Sequence, residues 1–413
     1  MLKDSIIASG HLGVALYDLN SKQFLYRYQS DKLFVPASTN KLLTLYAGMK
    51  FLGDSLNGLY YKINHDTLFV IPTGDPTFMH PDFKEQPVHQ MLNSTPLKVV
   101  LLDEQQYPEP YGKGWTIDDL DEAFLPQRSI FPVNGNLFSA EWIKNANNPT
   151  APTFSLASIS SDLPDYRMLD VTTTSTGINS IHRIPGHNHF TATLSDKNNT
   201  IRLKIPFETF GMETGFHILK NMLYHSPQKK ISPVQNKSLF SIIHSQPTDS
   251  VLALMMHRSD NFYAEQLLLM CGSSIAGELN QQNAIDYLLH NDFKKMPQQP
   301  QWFDGSGLSR YNLISPEDEI FVMNQLIDSF GTNRLTRILP TGGRGTLKKM
   351  FLTESNEMFA KTGSMSNIYS LTGMLLTANG KKLLFSIMLN NYSGSASSVK
   401  KAIENFLRSV KES

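Results

Sequence analysis

Three short motifs contain the residues of this chain that could carry out acyl transfer. They supply a serine with a nearby amine, a second hydroxyl with an amide, and a cation beside a glycine. In chain order they are Ser38-Thr39-Asn40-Lys41, Ser259-Asp260-Asn261 and Lys361-Thr362-Gly363. Ser-x-x-Lys also occurs elsewhere in the chain, whereas Lys-Thr-Gly occurs once. The prediction of a catalytic site therefore depends on all three motifs in this order.

Ser38 is predicted to be the nucleophile and Lys41 its base. Residues three positions apart share one face of a helix, so the Lys41 amine can reach the Ser38 hydroxyl. A serine hydroxyl is a weak nucleophile until a base takes its proton. Lysine can be that base only if burial or nearby positive charge lowers its pKa. Lys361 could supply this charge, and a helix N-terminus would favour negative charge developing at Ser38.

The Ser-Asp-Asn motif is predicted to form a second wall of the site. The Ser259 hydroxyl could relay a proton between Lys41 and a leaving amine, while the Asn261 amide could hold a substrate carbonyl. A purely structural alternative is that Ser38 and Asn261 serve only as helix caps. Each motif alone is open to that interpretation, whereas the three together favour catalysis.

The Lys-Thr-Gly motif is predicted to bind substrate along the edge of a strand. Lys361 and Thr362 could hold a substrate carboxylate, and Gly363 would leave room for a peptide. The backbone N–H of Ser364 would form an oxyanion hole with that of Ser38. The structural alternative is an edge strand whose lysine prevents aggregation.

The two ends of the chain are predicted to form one antiparallel sheet. Strands are expected at residues 12–19 and 22–28, which flank a hairpin signal, and at residues 357–363, 367–377 and 382–390. Helices are expected at residues 2–8 and, from the apolar face of the C-terminal segment, at residues 395–412. The predicted fold class is α+β, with a five-stranded antiparallel sheet flanked by helices.

Further helices are predicted to position the first two motifs. One follows Ser38 through residues 41–49. Two more, at residues 248–257 and 261–271, flank the loop that carries Ser259, and the second is expected to end at Gly272. Cys271, the one cysteine, is predicted to be buried. Between the first two motifs, from about residue 63 to 238, Pro, Asn, Thr and Ser become common and short strands replace helices. This segment is predicted to contain one or two inserted β-rich domains.

The overall composition indicates a globular protein without a strongly charged partner. At 413 residues the chain is long enough for two or three domains. Lys plus Arg and Asp plus Glu both number 37, so no strong field favours nucleic acid or an anionic membrane. No apolar run approaches the roughly 20 residues that span a bilayer. The opening residues are too short for a secretory signal, so either the protein is cytoplasmic or its signal has been removed.

Two other segments are interpreted as structural. His182, His187 and His189 have a spacing that could suggest a metal site, but they are expected in a solvated loop without a matched carboxylate. The segment at residues 304–307 is rich in turn residues, and its Ser306 has no base at a fixed spacing. No metal and no cofactor is therefore predicted.

The three motifs in this order resemble those of the penicillin-binding D-alanyl-D-alanine carboxypeptidase/endopeptidase family, peptidase family S13. Similar segments occur at residues 74–78, 114–119, 304–310 and 344–347, so the resemblance covers nearly the whole chain. It implies a periplasmic, metal-free serine enzyme that cleaves the terminal D-Ala-D-Ala bond or the cross-links of peptidoglycan through an acyl-enzyme. It also implies that penicillins acylate the same serine.

The resemblance also implies substrate-recognition residues and a domain division. Asp119 and Phe124 match positions that recognise a diaminopimelate side chain, although Asp119 is equally compatible with a surface carboxylate or a helix cap. Met350 stands where the family often has an arginine that binds the side-chain carboxylate of the substrate. At this position the chain departs from the family. The implied domains are a discontinuous catalytic domain at residues 1–62 and 239–413, domain II at 63–93 and 165–238, and a nested domain III at 94–164.

Two alternative functions use the same residues. A serine β-lactamase would share the acylation apparatus but also needs an activated water for deacylation, and no carboxylate motif for that step is recognisable. A non-catalytic peptidoglycan-binding module would have the fold of the enzyme without its activity. The intact motifs argue against this alternative.

Overall fold

The computed structural model describes residues 5–145, 153–159 and 169–412. These residues fall into two compact units. The first unit comprises Met1–Asp54, Gly112–Trp115 and Pro247–Ser413, and the second comprises Ser55–Tyr111 and Thr116–Gln246. The finer division of the insertion into domains II and III stays a prediction.

Sixteen strands and ten α-helices occur in the described residues. The strands are β1 (His11–Asp18), β2 (Gln23–Tyr28), β3 (Ser55–Asn64), β4 (Thr67–Pro72), β5 (Lys98–Asp103), β6 (Leu137–Lys144), β7 (Phe154–Ile159), β8 (Leu169–Thr174), β9 (Ser180–Arg183), β10 (Phe190–Ser195), β11 (Thr200–Pro206), β12 (Gln228–Ile231), β13 (Ser241–Pro247), β14 (Met358–Met365), β15 (Ile368–Leu376) and β16 (Lys382–Asn390). The helices are α1 (Ser5–Ala8), α2 (Lys41–Phe51), α3 (Pro87–Ser94), α4 (Glu213–Met222), α5 (Thr248–Arg258), α6 (Asn261–Ala276), α7 (Gln281–His290), α8 (Pro316–Phe330), α9 (Thr332–Ile338) and α10 (Ala396–Glu412).

The first unit is built on a five-stranded antiparallel sheet with the order β14-β15-β16-β1-β2. The predicted α+β fold class is confirmed, and the five predicted strands agree with the observed ones to within two residues at each end. The last strand pairs with the first, so that Leu16 lies opposite Phe385. The two ends of the chain therefore hold each other in place. The predicted first helix is seen as α1, and residues 2–4 lie outside the described residues.

Helices cover both faces of this sheet. The apolar side chains of α10, Val399, Ile403 and Leu407, are buried in one core with Ile7 of α1 and inward-facing residues of the strands. On the other side α8 contacts β16 and β1. The start of α8 is fixed by a capping box, in which Ser315 accepts from the Asp318 N–H and the Asp318 carboxylate accepts from the Ser315 N–H. β15 and β16 are consequently almost wholly buried, and β14 forms an edge of the sheet.

The second unit is rich in strands. Its described residues form a five-stranded sheet with the order β12-β5-β4-β3-β13 and two three-stranded sheets, β8-β10-β9 and β11-β6-β7. Stacking of Phe138 on Phe190, with ring centroids 4.8 Å apart, joins strands β6 and β10 of the two smaller sheets. None of the helices in the part of the chain that the structure describes is both long and apolar enough to cross a membrane.

The histidine segment of the second unit differs from its predicted form. His182 lies on strand β9, and its Nδ1 is 3.1 Å from an Asp121 oxygen. His189 precedes β10 and approaches Asp170 at 2.8 Å. The prediction that these histidines lack carboxylate partners is wrong for both, because each partner comes from a segment distant in the sequence. Within residues 5–145, 153–159 and 169–412, no group of three or more His, Cys, Asp or Glu side chains could hold a metal ion.

Candidate active site

Ser38 lies on a tight turn directly before helix α2. The turn is a 3₁₀ helix at Ala37–Asn40 that follows Pro36, and Ala37 adopts the left-handed backbone conformation, with φ of 50°. Lys41 is the first residue of α2. Its Nζ lies 3.1 Å from Ser38 Oγ, so the structure places the predicted nucleophile and base within hydrogen-bonding distance.

Two glycines from distant segments approach this turn closely. A Cβ at Gly363 would lie 3.0 Å from the backbone nitrogens of both Ser38 and Thr39 and would clash with the Pro36 carbonyl. A Cβ at Gly307, whose φ is 83°, would clash with the Ala37 carbonyl. Gly363 was predicted to leave room for a peptide. On the side where its Cβ would point, that space is filled by the turn that carries Ser38. Glycine at position 363 lets β14 pack against this turn.

The Lys41 side chain is fully buried and held by three oxygens. Besides Ser38 Oγ, its Nζ contacts Asn261 Oδ1 and the Ser306 carbonyl oxygen, each at 2.7 Å. Burial lowers the pKa of Lys41 to about 8, and the negative charges of Asp304, Glu265 and Asp260 oppose this shift. Desolvation, rather than the charge of Lys361, is the main cause of the lowered pKa. A neutral amine at Lys41 is therefore accessible near neutral pH.

A buried loop presents the Ser306 carbonyl to Lys41. The Asp304 carboxylate accepts hydrogen bonds from the N–H groups of Gly307 and Ser309, at 2.8 and 2.7 Å, and from the side chain of Asn312 at 2.8 Å. Trp115 Nε1 donates to the same carboxylate at 2.9 Å. This segment was predicted to be rich in turns and similar to the family, but the contact of its carbonyl with Lys41 was not predicted. An aspartate directly before Gly-Ser-Gly, able to bind the backbone of its own turn, was the available signal.

Glu265 supports the same loop from helix α6. Its buried carboxylate accepts from the Ser306 N–H at 2.7 Å. Burial raises the pKa of the Asp304 carboxyl, and the nearby charge of Glu265 raises it further. The carbonyl that contacts Lys41 is therefore fixed by hydrogen bonds on both sides of its residue.

The junction of α5 and α6 positions Ser259 and Asn261. Ser259 ends α5 in the left-handed conformation, with φ of 58° and ψ of 40°. Asp260 caps α6 by accepting from the Tyr263 N–H at 3.0 Å, which turns Asn261 toward Lys41. The contact between Asn261 Oδ1 and Lys41 was not predicted, because the sequence analysis assigned Asn261 to the substrate alone.

The predicted end of the second helix at Gly272 is wrong, since α6 continues to Ala276. A Cβ at Gly272 would clash with the Asn280 carbonyl, so this glycine permits close packing instead of ending the helix. Cys271 in the same helix is buried, as predicted.

Lys361 joins the second and third motifs. It is fully buried on β14, and its Nζ donates to Ser259 Oγ at 2.9 Å and to the Thr362 carbonyl oxygen at 2.7 Å. Burial, and to a smaller extent the charge of Lys41, lower the pKa of Lys361 well below its usual value. A bound anion would favour the protonated form again.

A cavity of about 790 Å³ opens onto Ser38. Four of the predicted residues, Ser38, Ser259, Thr362 and Ser364, contribute to its lining. The other lining residues are His257, Arg258, Gly343, Arg344, Gly345, Thr346, Lys348, Tyr369 and Lys400. Lys41, Asn261, Lys361 and Gly363 are not among the lining residues. The hydroxyl groups of the site thus face the cavity, while the amines lie behind them.

Two predicted recognition residues belong to the second unit. Asp119 ends a 3₁₀ helix at Ile117–Asp119 and is partly exposed, and Phe124 has 44% of its surface exposed. Their part in substrate binding stays a prediction. In the first unit, Met350 is buried, and its sulfur accepts from the Tyr369 hydroxyl at 3.5 Å. Met350 therefore packs into the core, while its neighbour Lys348 lines the cavity.

A serine in contact with a buried lysine beside an open cavity is the arrangement expected of a hydrolase that works through an acyl-enzyme. Comparison of the sequence with known families identifies which one. A sequence model of the D-Ala-D-Ala carboxypeptidase 3 (S13) family matches residues 1–410. The chain belongs to this family, and its enzyme class is serine-type D-Ala-D-Ala carboxypeptidase.

Individual relatives agree with the family assignment. The chain is 24% identical over 439 aligned residues to the D-alanyl-D-alanine carboxypeptidase DacB of Haemophilus influenzae, covering 95% of this chain and 88% of that protein. A penicillin-sensitive carboxypeptidase A of Dictyostelium discoideum is 34% identical over 167 residues, which are 37% of this chain and 31% of that protein.

Solved structures show the same fold. Penicillin binding protein 4 of Haemophilus influenzae superposes with a TM-score of 0.79 at 20% identity, covering 98% of this chain and 97% of that one. A predatory endopeptidase of Bdellovibrio bacteriovorus, acylated by penicillin G and in complex with an immunity protein, superposes with a TM-score of 0.52 at 16% identity, covering 97% and 93%.

Proposed function

We propose that this protein cleaves the terminal D-Ala-D-Ala bond of peptidoglycan stem peptides, and the corresponding cross-links, through an ester on Ser38. The observation that carries the proposal is the set of contacts around Lys41. A neutral lysine amine has two N–H donors and one lone pair. Two of its three contacts are with oxygens that only accept, those of Asn261 and Ser306. The lone pair is then left for the Ser38 hydroxyl.

Acylation starts with transfer of the Ser38 proton to Lys41. The serine oxygen attacks the carbonyl carbon of the penultimate D-alanine, and the backbone N–H groups of Ser38 and Ser364 stabilise the oxyanion. The C–N bond then breaks, and the proton returns from Lys41 through Ser259 to the leaving amine. The products are free D-alanine, or the second strand of a cross-link, and an ester on Ser38. Attack by water with the same proton path releases the shortened peptide.

Lys361 and Thr362 bind the carboxylate of the leaving D-alanine in this proposal. The hydrogen bond between Lys361 and Ser259 supports this role, because the amine that would bind the carboxylate lies next to the proposed proton relay. A bound carboxylate would raise the pKa of Lys361 and keep it charged during the reaction. The Asn261 amide and, in the second unit, Asp119 and Phe124 are proposed to contact the acyl part of the peptide.

The same proposal implies that penicillins acylate this protein and that it acts outside the cytoplasmic membrane. A β-lactam ring presents a strained amide next to a carboxylate, so it would be attacked by Ser38 in the same way. Peptidoglycan lies outside the cytoplasmic membrane, and an enzyme that acts on it works in the periplasm. The penicillin G adduct of the Bdellovibrio endopeptidase supports the first part, and the family supports the second.

Intact-protein mass spectrometry after incubation with benzylpenicillin tests the proposal. We expect a stable adduct of one penicillin mass on the wild type and none on Ser38→Ala. Ser226→Ala is a matched control, since Ser226 is an exposed serine that also stands three residues before a lysine, and it should label normally. Rapid loss of the drug without an adduct would indicate a β-lactamase. Neither adduct nor loss would indicate a non-catalytic module.

A further inference from the structure

A second cavity, here called the basic groove, continues from the active-site cavity. It encloses about 690 Å³ between the segment at residues 346–350 and helix α10. Its lining residues are Thr346, Lys348, Lys349, Met350, Ser397, Lys400, Lys401, Glu404, Asn405 and Arg408. Thr346, Lys348 and Lys400 line both cavities. A ligand that reaches Ser38 can therefore extend into the groove without leaving the first unit.

The groove carries unbalanced positive charge. Its one acidic side chain, Glu404, pairs with Arg408 at 2.9 Å and accepts from the Phe351 N–H at 2.8 Å. Arg408 also lies 3.4 Å from Glu354. The charges of Arg408 and Glu404 are thus balanced by ion pairs within the protein.

Four lysines of the groove form no ion pair with any residue that the structure describes: Lys348, Lys349, Lys400 and Lys401. The chain as a whole has equal numbers of acidic and basic residues, so a general excess of lysine does not explain this cluster. Lys400 is also oriented, because its Nζ lies 5.6 Å from the centre of the Tyr369 ring. This arrangement fits a ligand with several negative charges.

We propose that the basic groove binds carboxylate groups of the polymeric substrate at positions away from the bond that is cleaved. This inference rests on the proposed function, because peptidoglycan stem peptides carry free carboxylates beyond the terminal D-alanine. Lys349 and Lys401 line the groove but not the active-site cavity. They would contact the polymer without touching the reacting dipeptide. The groove would thus favour long acidic substrates over short peptides.

Binding to insoluble peptidoglycan tests the proposal in a Ser38→Ala background, where no substrate is consumed. The variant is Lys349→Gln with Lys401→Gln, and the control is Lys294→Gln with Lys295→Gln, a pair of exposed lysines outside the groove. We expect the groove variant to bind native peptidoglycan about three- to tenfold more weakly in co-sedimentation, as for the loss of two exposed ion pairs. The control should bind normally.

Peptidoglycan whose carboxylates have been converted to amides tests whether carboxylates are the groups that the groove binds. The groove variant and the parent should bind this material equally, and high salt should remove their difference on native material. Equal binding of native peptidoglycan by the variant and the parent would overturn the proposal. An equal loss on native and amidated material would also overturn it, since carboxylates would then not be the ligand.

Benzylpenicillin separates failure of this inference from failure of the proposed function. With Ser38 restored, the groove variant should be acylated at the wild-type rate, because neither lysine lines the active-site cavity. A wild type that forms no adduct would refute the proposed function, whatever the groove binds. Slower acylation of the groove variant would show a disturbed active site and would overturn the assignment of these lysines to the polymer alone.

Discussion

The two lysines proposed for catalysis and the lysines of the basic groove differ in solvent access, and this difference suits the same side chain to two kinds of chemistry. Lys41 and Lys361 are fully buried, and burial lowers the pKa of both. Lys349, in the loop that faces α10, and Lys401, on α10 itself, are exposed. A buried amine can lose its proton near neutral pH and act as a base, whereas an exposed ammonium is a positive charge that attracts anions from solution.

The buried lysines are tolerated because their nitrogens are hydrogen-bonded. A buried polar group without partners would destabilise the fold by several kcal/mol, about 2–7 for an amide or hydroxyl. Lys41 has three oxygen contacts and Lys361 has two. The residues that form these hydrogen bonds therefore help to keep both lysines buried.

Removing Lys41 should have the largest effect. Without its base, Lys41→Ala should acylate with benzylpenicillin at least about 1,000-fold more slowly, within the range for loss of a general base. Stopped-flow or mass-spectrometric labelling measures the rate, and a thermal melt verifies that the variant is folded. Lys401→Ala, the exposed counterpart, should label normally. Near-normal labelling of Lys41→Ala would remove Lys41 from the mechanism.

Removing the charge of Lys361 should have the next largest effect. Lys361→Gln keeps a donor for Ser259 but loses the cation, so KM for an acyl-D-Ala-D-Ala peptide should rise about tenfold or more, the equivalent of a charge-assisted hydrogen bond. A peptide with a C-terminal amide should show no such increase, because it has no carboxylate to bind. Unchanged KM and kcat for the carboxylate peptide would rule out the proposed role.

The lowered pKa of Lys41 should also make the rate of acylation depend on pH. This effect should be smaller than those of the two substitutions. Because the pKa of Lys41 is lowered to about 8, the fraction of neutral amine rises about tenfold between pH 7 and pH 9. The sign follows from the mechanism, since only the neutral amine accepts the Ser38 proton. The rate of benzylpenicillin acylation should rise across this range and level off above it. A rate that is flat or falls from pH 7 to pH 9 would contradict Lys41 as the base.

Local patterns in the sequence were sufficient to predict the sheet and the three motifs. Alternating and continuous apolar segments placed all five strands of the first unit, and the spacing of Ser38 and Lys41 predicted their contact. These features depend on neighbours within a few residues, which periodicity and turn signals describe well.

Contacts between distant segments could not be predicted in this way. The Ser306 carbonyl reaches Lys41 across 265 residues of sequence, and Asn261 reaches it across 220. The closeness of Gly363 to the turn before α2 likewise requires the folded chain. The charge of the basic groove was missed for the same reason, since Lys349 and Lys401 come from a loop and a helix that are separate in the sequence.

The pairing of β1 with β16 and the packing of Gly307 and Gly363 against the nucleophile turn have a consequence for the newly made protein. Ser38 is synthesised early, but the residues that hold its turn and bury its lysine all lie in the second half of the chain. Domains fold as units when their chain is available, so a partly synthesised chain would carry the serine without the means to activate it. Completion of these later segments would thus be required before the Lys41 amine could be held beside Ser38.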